Sequence, residues 1–120
     1  MHIKENVLKD KSFQFALRNI NLYNYLKKDH NEFILSKQIV RSGTLTGAAV
    51  REAEHAESIK DFIHKFSICL KEVNETTYWL DLLLSAAFIT KEMHEFLNKD
   101  CEELLKLLTA SVKKSKLKLK

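Results

Sequence analysis

Residues 58–84 read SIKDFIHKFSICLKEVNETTYWLDLLL, and the spacing of their apolar side chains decides the fold. Ile59, Phe62, Phe66, Cys69, Val73, Leu80 and Leu83 fall close to a three–four alternation, with Ile63, Leu70 and Leu84 flanking the stripe. Near-heptad spacing of this kind suits the shallow left-handed crossing of helices in four-helix bundles. Ser58, with Asp61 three residues later, has the form of a capping box that opens the segment.

The rest of the chain extends this reading. Its 120 residues contain no proline and only two glycines, Gly43 and Gly47. A sheet protein needs turn residues every ten or so positions, so their absence points to an all-α fold. Before residue 58 two further helices are expected. The first runs over about 10–28, with Phe13, Ala16, Leu17 and Ile20 at i, i+3, i+4, i+7 and with Phe15, Leu22 and Leu26 widening the face. The second runs over about 31–54, opened by a capping box of Asp29 and Glu32, with Phe33, Ile34, Leu35, Ile39 and Val40 in its first half. The quoted stretch is the third, over about 58–84. The fourth runs over about 90–114, with Thr90 as N-cap and Glu92 in its first turn, and presents Met93, Phe96, Leu97, Leu104, Leu107 and Leu108. Residues 115–120 form a basic tail. Short connections make successive helices antiparallel, so the expectation is one up-and-down four-helix domain over residues 1–120.

Gly43 and Gly47 are four apart and stack on one face of the second helix. Each costs about 1 kcal/mol relative to alanine in a helix interior, so close packing against a neighbour is the expected reason. A ligand approaching the bare backbone is the alternative.

Charge and composition exclude several function classes. The net charge is +4, but five of the 20 basic side chains lie in residues 113–120, KKSKLKLK, and the other 15 face 16 acidic ones. The body is therefore nearly neutral, and the tail either contacts phosphates without sequence preference or is a solvated end. No apolar run approaches the ~20 residues of a membrane span, and residues 1–10 lack the apolar segment of a secretory leader. A cytoplasmic protein without a membrane partner is expected. Cys69 and Cys101 read as small buried hydrophobes.

Helical bundles can hold two metal ions on Glu-x-x-His elements and further carboxylates. Glu52 with His55 fits one element and Asp61 with His64 fits another loosely, but the first helix carries acids only at its ends, Asp10 and Asp29. There is no Gly-rich phosphate loop, and no serine or cysteine has an evident base beside it. A non-enzyme with no cofactor, no metal and no small-molecule substrate is expected. Lys60, His64, Lys71 and Glu75 form a polar line on the third helix, with Glu72, Thr76 and Trp79 on a neighbouring line, and one reading of them is a solvated face with i,i+4 pairs. Tyr78 and Trp79 are large aromatics on a helix whose core stripe is already filled, and such residues mark interfaces.

Two blocks are similar to a known family. Arg41-Ser42-Gly43-Thr44 followed by Gly47-Ala48-Ala49-Val50-Arg51-Glu52-Ala53 resembles the helix-two signature of the four-helix bundle proteins encoded by intervening sequences in bacterial 23S ribosomal RNA genes. The second block is Ser58, Lys60-Asp61-Phe62-Ile63-His64-Lys65, Ser67-Ile68, Lys71-Glu72, Glu75-Thr76 and Tyr78-Trp79-Leu80. The chain departs from the pattern at Leu45-Thr46, where the family has Ser-Ile, and at Ala49, where it has asparagine. The resemblance implies an antiparallel four-helix subunit. It also implies assembly as a five-fold barrel, as in accessory proteins of diversity-generating retroelements, with a basic surface for nucleic acid. The resulting expectation is a non-enzymatic homo-oligomeric scaffold, a pentamer, that binds RNA or DNA weakly through Arg41, Arg51, Lys60, Lys65 and Lys71. Tyr78, Trp79, Gly43 and Gly47 are the candidate subunit contacts. The alternative is a homo-oligomeric protein-interaction module with no nucleic-acid role.

Overall fold

The structure is a computed structural model that describes residues 3–119, with side chains from residue 7 onward. Four helices follow one another: α1 (Ile3–His30), α2 (Leu35–Ala53), α3 (Ile59–Ser85) and α4 (Lys91–Leu117). Each packs on its chain neighbours, and α4 closes the bundle against α1, within an envelope of 50 × 21 × 20 Å. Cross-helix pairs confirm the antiparallel order: Lys9 with Glu54, Lys65 with Glu52, His94 with Asp81, and Arg18 with Asp100. The architecture is the expected all-α four-helix bundle.

The helix ends are set by identifiable caps. Ser58 Oγ accepts from the Asp61 N–H at 3.0 Å, as the capping-box spacing predicts, while the Asp61 carboxylate accepts from the Glu57 N–H rather than from Ser58. Thr90 Oγ1 accepts from the Met93 N–H at 3.2 Å and opens α4. The expected opening of α2 is corrected. Asp29 belongs to α1, and α2 begins at Leu35 and not near residue 31. The chain leaves α1 through Asn31 at φ 51, and the Glu32 carboxylate accepts from the N–H groups of Ile34, Leu35 and Ser36. One acid thus serves the orphan donors of the new helix and complements its dipole. At the other end of the tail, α4 continues to Leu117, three residues beyond the expected end.

The core of α3 agrees with the stripe, since Phe66, Cys69, Val73, Leu80 and Leu83 are buried, although Ile59 is exposed. Two polar residues, Glu72 and Thr76, are buried with them. The core of α4 follows the same rule through Leu97, Cys101, Leu104, Leu108 and Val112, leaving Phe96 exposed. In α2 the exposed Phe33 and Ile34 precede the helix, and its inner face is Ile39, Ser42, Gly43, Thr46, Ala49, Val50 and Ala53.

The largest correction concerns α1. Its inner face is Leu8, Ser12, Phe15, Asn19, Leu22 and Leu26, a four–three alternation maintained over nearly the whole helix. Ser12 and Asn19 occupy two of its positions, which hides the stripe from a search for apolar residues. Phe13, Leu17 and Ile20, expected in the core, are 49%, 41% and 38% exposed. At 100° per residue they lie on the side of the helix nearly opposite Leu8 and Phe15.

Candidate interaction surfaces

The signature residues of α2 and α3 meet in a polar layer inside the bundle. Ser42 Oγ lies 2.7 Å from Thr76 Oγ1, and both side chains are fully buried. Thr46 Oγ1 donates to the Ser42 carbonyl, Thr76 Oγ1 to that of Glu72, and Cys69 Sγ lies 3.7 Å from the Thr46 carbonyl. On the α1 side, Gly43 admits the buried Asn19 side chain, whose Nδ2 donates to the Phe15 carbonyl at 2.8 Å. A Cβ on Gly47 would lie 3.3 Å from the Ser12 carbonyl oxygen. Both glycines therefore serve the α1–α2 contact within one chain, which is the close packing expected of them. The hydroxyls of this layer are all hydrogen-bonded, while the buried Asn19 Oδ1 has no partner among the described residues, and the layer ties α2 to α3 through the Ser42–Thr76 bond.

Outward from the layer the polar residues form a chain that reaches the surface. Glu72 is buried and its Oε1 accepts no hydrogen bond among the described residues; that atom lies 3.7 Å from the Arg41 guanidinium. The same Arg41 nitrogen lies 3.5 Å from Glu75, and Glu75 accepts from the Trp79 indole N–H at 3.2 Å. The Trp79 ring packs on the core and meets Tyr78 edge-on at 5.1 Å. Tyr78 is 56% exposed, and Leu45 on α2 is also exposed. Arg41, Leu45, Tyr78 and Trp79 thus form a rim along the α2–α3 seam.

A second uncovered surface is the outer stripe of α1. Arg51, on α2, lies 5.7 Å from the Phe13 ring centre at its edge. On the other flank Arg18 stacks 4.7 Å over the exposed Phe96 ring and pairs with Asp100 at 2.6 Å. This stripe is the surface that sequence reasoning missed. Its signal was present: α1 carries two apolar sets, 13/17/20 and 15/22/26, too far apart in angle to share one core.

The candidate basic residues differ in their surroundings. Arg41 is held by Glu72 and Glu75, Lys65 by Glu52, and Arg51 lies against Phe13. Lys60 and Lys71 are exposed and have no ion-pair partner among the described residues. The same holds for Lys113, Lys114, Lys116 and Lys118, which cluster where α4 ends, at the end of the bundle where α3 begins with Lys60. Between α1 and α4, Lys11 donates to Glu103 at 2.6 Å, and that bond and charge hold the Glu103 carboxyl below the usual range.

Little here suits covalent chemistry. Burial pushes the Cys69 and Cys101 thiols up to about 12, so neither supplies a thiolate near neutrality. Among the described residues no three His, Cys, Asp or Glu side chains converge to hold a metal ion, and no helix is long and apolar enough to cross a membrane.

Comparison with known proteins follows the same lines. No curated protein matches the chain. A solved structure does: a protein of unknown function from the S23 ribosomal protein family of Bacteroides thetaiotaomicron, 53% identical, with a TM-score of 0.91 over 92% of this chain and 99% of that one. Residues 4–110 match the family described as 23S rRNA-intervening sequence protein. That span takes in the buried Ser42–Thr76 layer, the Arg41–Trp79 rim and the outer face of α1, and the chain belongs to the 23S rRNA-intervening sequence protein family.

Proposed function

We propose that the protein is a non-enzymatic, cytoplasmic scaffold that works as a homo-oligomer. The observation that carries this reading is the outer stripe of α1. Phe13, Leu17 and Ile20 leave three large apolar side chains exposed on a face that contributes nothing to the core. A contiguous exposed apolar face on a folded domain is the usual mark of an interaction site. The α2–α3 rim is a second such surface, of different character and on a different side of the bundle. Two unlike surfaces favour head-to-tail contacts that close into a ring over a two-fold dimer. Five copies is the ring size that the family likeness suggests.

Leu17→Glu tests this reading directly. Leu17 lies outside the core, so the variant should keep its helical content and thermal midpoint while its mass in light scattering falls to that of one chain. An oligomer unchanged by Leu17→Glu would exclude the α1 stripe as the contact.

Weak binding to RNA or DNA is a second part of the reading, supported by the unpaired lysines. Lys60, Lys113, Lys114, Lys116 and Lys118 gather at one end of the bundle without carboxylate partners among the described residues. In a ring these ends would form one basic face. Binding through them is to phosphates and should weaken steeply with salt. Deleting residues 113–120 should abolish it; binding that survives the deletion, or that ignores salt, would exclude these lysines as its source, and no binding at low salt would leave the protein-interaction module as the whole function.

A further inference from the structure

We propose that the bundle opens along the α1–α4 seam as a book does, with the α2–α3 seam as its spine and the Lys11–Glu103 and Arg18–Asp100 ion pairs as a salt-sensitive clasp. The opening belongs to a single chain, whether or not copies assemble. The four seams of the bundle are unequal. Successive helices are joined by turns, whereas no turn joins α1 to α4, and α1 touches α4 much less than it touches α2. Within the first cover, α1 with α2, Gly43 admits the Asn19 side chain and Gly47 lies close to the Ser12 carbonyl. Within the second, α3 with α4, the turn carries the buried Ile89, and His94 meets Asp81 at 2.8 Å. The spine holds the buried Ser42–Thr76 hydrogen bond and Cys69, whose Sγ lies 3.7 Å from the Thr46 carbonyl.

The α1–α4 seam is built differently. Lys11 meets Glu103 and Arg18 meets Asp100 across it, each at 2.6 Å, and the Lys11, Glu103 and Arg18 side chains are 42%, 41% and 38% exposed. Ion pairs at such exposure contribute little, and salt screens them further. A cavity of about 160 Å³ is bounded by these four side chains and by the core residue Leu104, so this seam is not closely packed. Asp100 adds a cost to the closed form. Its Oδ1 accepts from Arg18, while its Oδ2 is buried without a partner among the described residues. Parting the seam returns that oxygen to water. Sparse contact, a cavity and an unsatisfied carboxylate oxygen thus fall on the one seam that no turn secures, and local opening starts where such features gather. Opening exposes the inner face of α4, including Cys101, while Cys69 stays in the spine.

The two cysteines are built-in reporters. Both are fully buried, so each reacts only when its surroundings open. The test treats the protein with N-ethylmaleimide near neutral pH and follows each cysteine by mass spectrometry of its peptide. Cys101 should label faster than Cys69, and its rate should rise with sodium chloride while that of Cys69 does not. Lys11→Gln and Arg18→Gln should each raise the Cys101 rate about two- to fivefold at low salt, the effect of losing an exposed ion pair, and should flatten its salt response. Lys11→Glu should raise it further by repelling Glu103, and Lys11→Glu with Glu103→Lys should restore it. Lys9→Gln, which removes a pair of the same kind inside the first cover, should leave it unchanged. Three results would overturn the proposal, because each is what unfolding of the whole bundle gives: equal labelling of the two cysteines at every salt concentration, clasp variants that speed both alike, or a Lys9→Gln effect as large as that of Lys11→Gln.

Discussion

Gly43→Ala is the most exacting probe of the α1–α2 contact. A methyl group on Gly43 would lie 2.5 Å from Asn19 Cγ, 2.6 Å from Nδ2 and 2.7 Å from Cβ. Carbon atoms pack at roughly 3.5–4.0 Å, so something must move by about 1 Å. Asn19 cannot swing out cheaply, because it is fully buried and its Nδ2 donates to the Phe15 carbonyl. Either α1 and α2 separate, an overpacking cost of about 1–3 kcal/mol, or Asn19 gives up its bond in a buried site at about 1–3 kcal/mol. Alanine returns about 1 kcal/mol through its better helix propensity. At the middle of that range the net expectation is a loss of about 1 kcal/mol, read as a lower urea midpoint with an unchanged slope. An Asn19→Ala background still leaves a Cβ at 2.7 Å, whereas in an Asn19→Gly background no side-chain atom remains to clash, and the same Gly43→Ala change should stabilise by about 1 kcal/mol. A Gly43→Ala single variant as stable as the wild type would refute the reasoning, as would a cycle in which the two changes simply add.

Three further outcomes follow from local geometry. Ala87 sits at φ 64, and the bonds Phe88 N–H to Leu83 and Ala87 N–H to Leu84 make the end of α3 a Schellman cap with alanine where glycine is usual. Ala87→Gly should therefore stabilise by about 1 kcal/mol in thermal or urea unfolding, because the left-handed backbone costs alanine about 1–2 kcal/mol. Thr76→Val removes the 2.7 Å partner of the buried Ser42 hydroxyl, which keeps a 3.3 Å bond to the Ile39 carbonyl, and should cost about 1 kcal/mol, whereas Ser42→Ala with Thr76→Val should recover most of it. The thiols predict an alkaline limit: desolvation raises both folded values from 9.0 to about 12, so their contribution is complete below pH 9 and is lost as pH rises toward 12. Stability should fall by up to roughly 1.4 kcal/mol per pH unit per thiol across that window, and a Cys69→Ala, Cys101→Ala protein should lack this part of the fall.

Much of the fold was legible because its determinants are local. The third and fourth helices announce themselves through near-heptad apolar spacing and through Ser58 and Thr90, whose caps form as their positions suggest. The first helix misleads for a definite reason. Its inner stripe includes Ser12 and Asn19, while its outer face carries Phe13, Leu17 and Ile20, so hydrophobicity alone selects the wrong side. Asn19 is intelligible only beside Gly43, which is far away in sequence. Glu72 is hidden for a similar reason. A glutamate followed by threonine at i+4 reads as a solvated line, and its burial depends on Arg41 and Ser42 arriving from another helix. Tyr78 stood out in sequence because the α3 core was already full, and it is indeed exposed. The lysines at 113–120 were also visible, but not that α4 carries them as helix as far as Leu117.

The native mass of the protein, measured by light scattering across a wide dilution series, tests the central claim most directly. The expected result is a defined multiple of the 14.0 kDa chain, near 70 kDa for five copies, that dissociates only on dilution. A mass of 14.0 kDa at every concentration would contradict the account and leave the apolar face of α1 without a role.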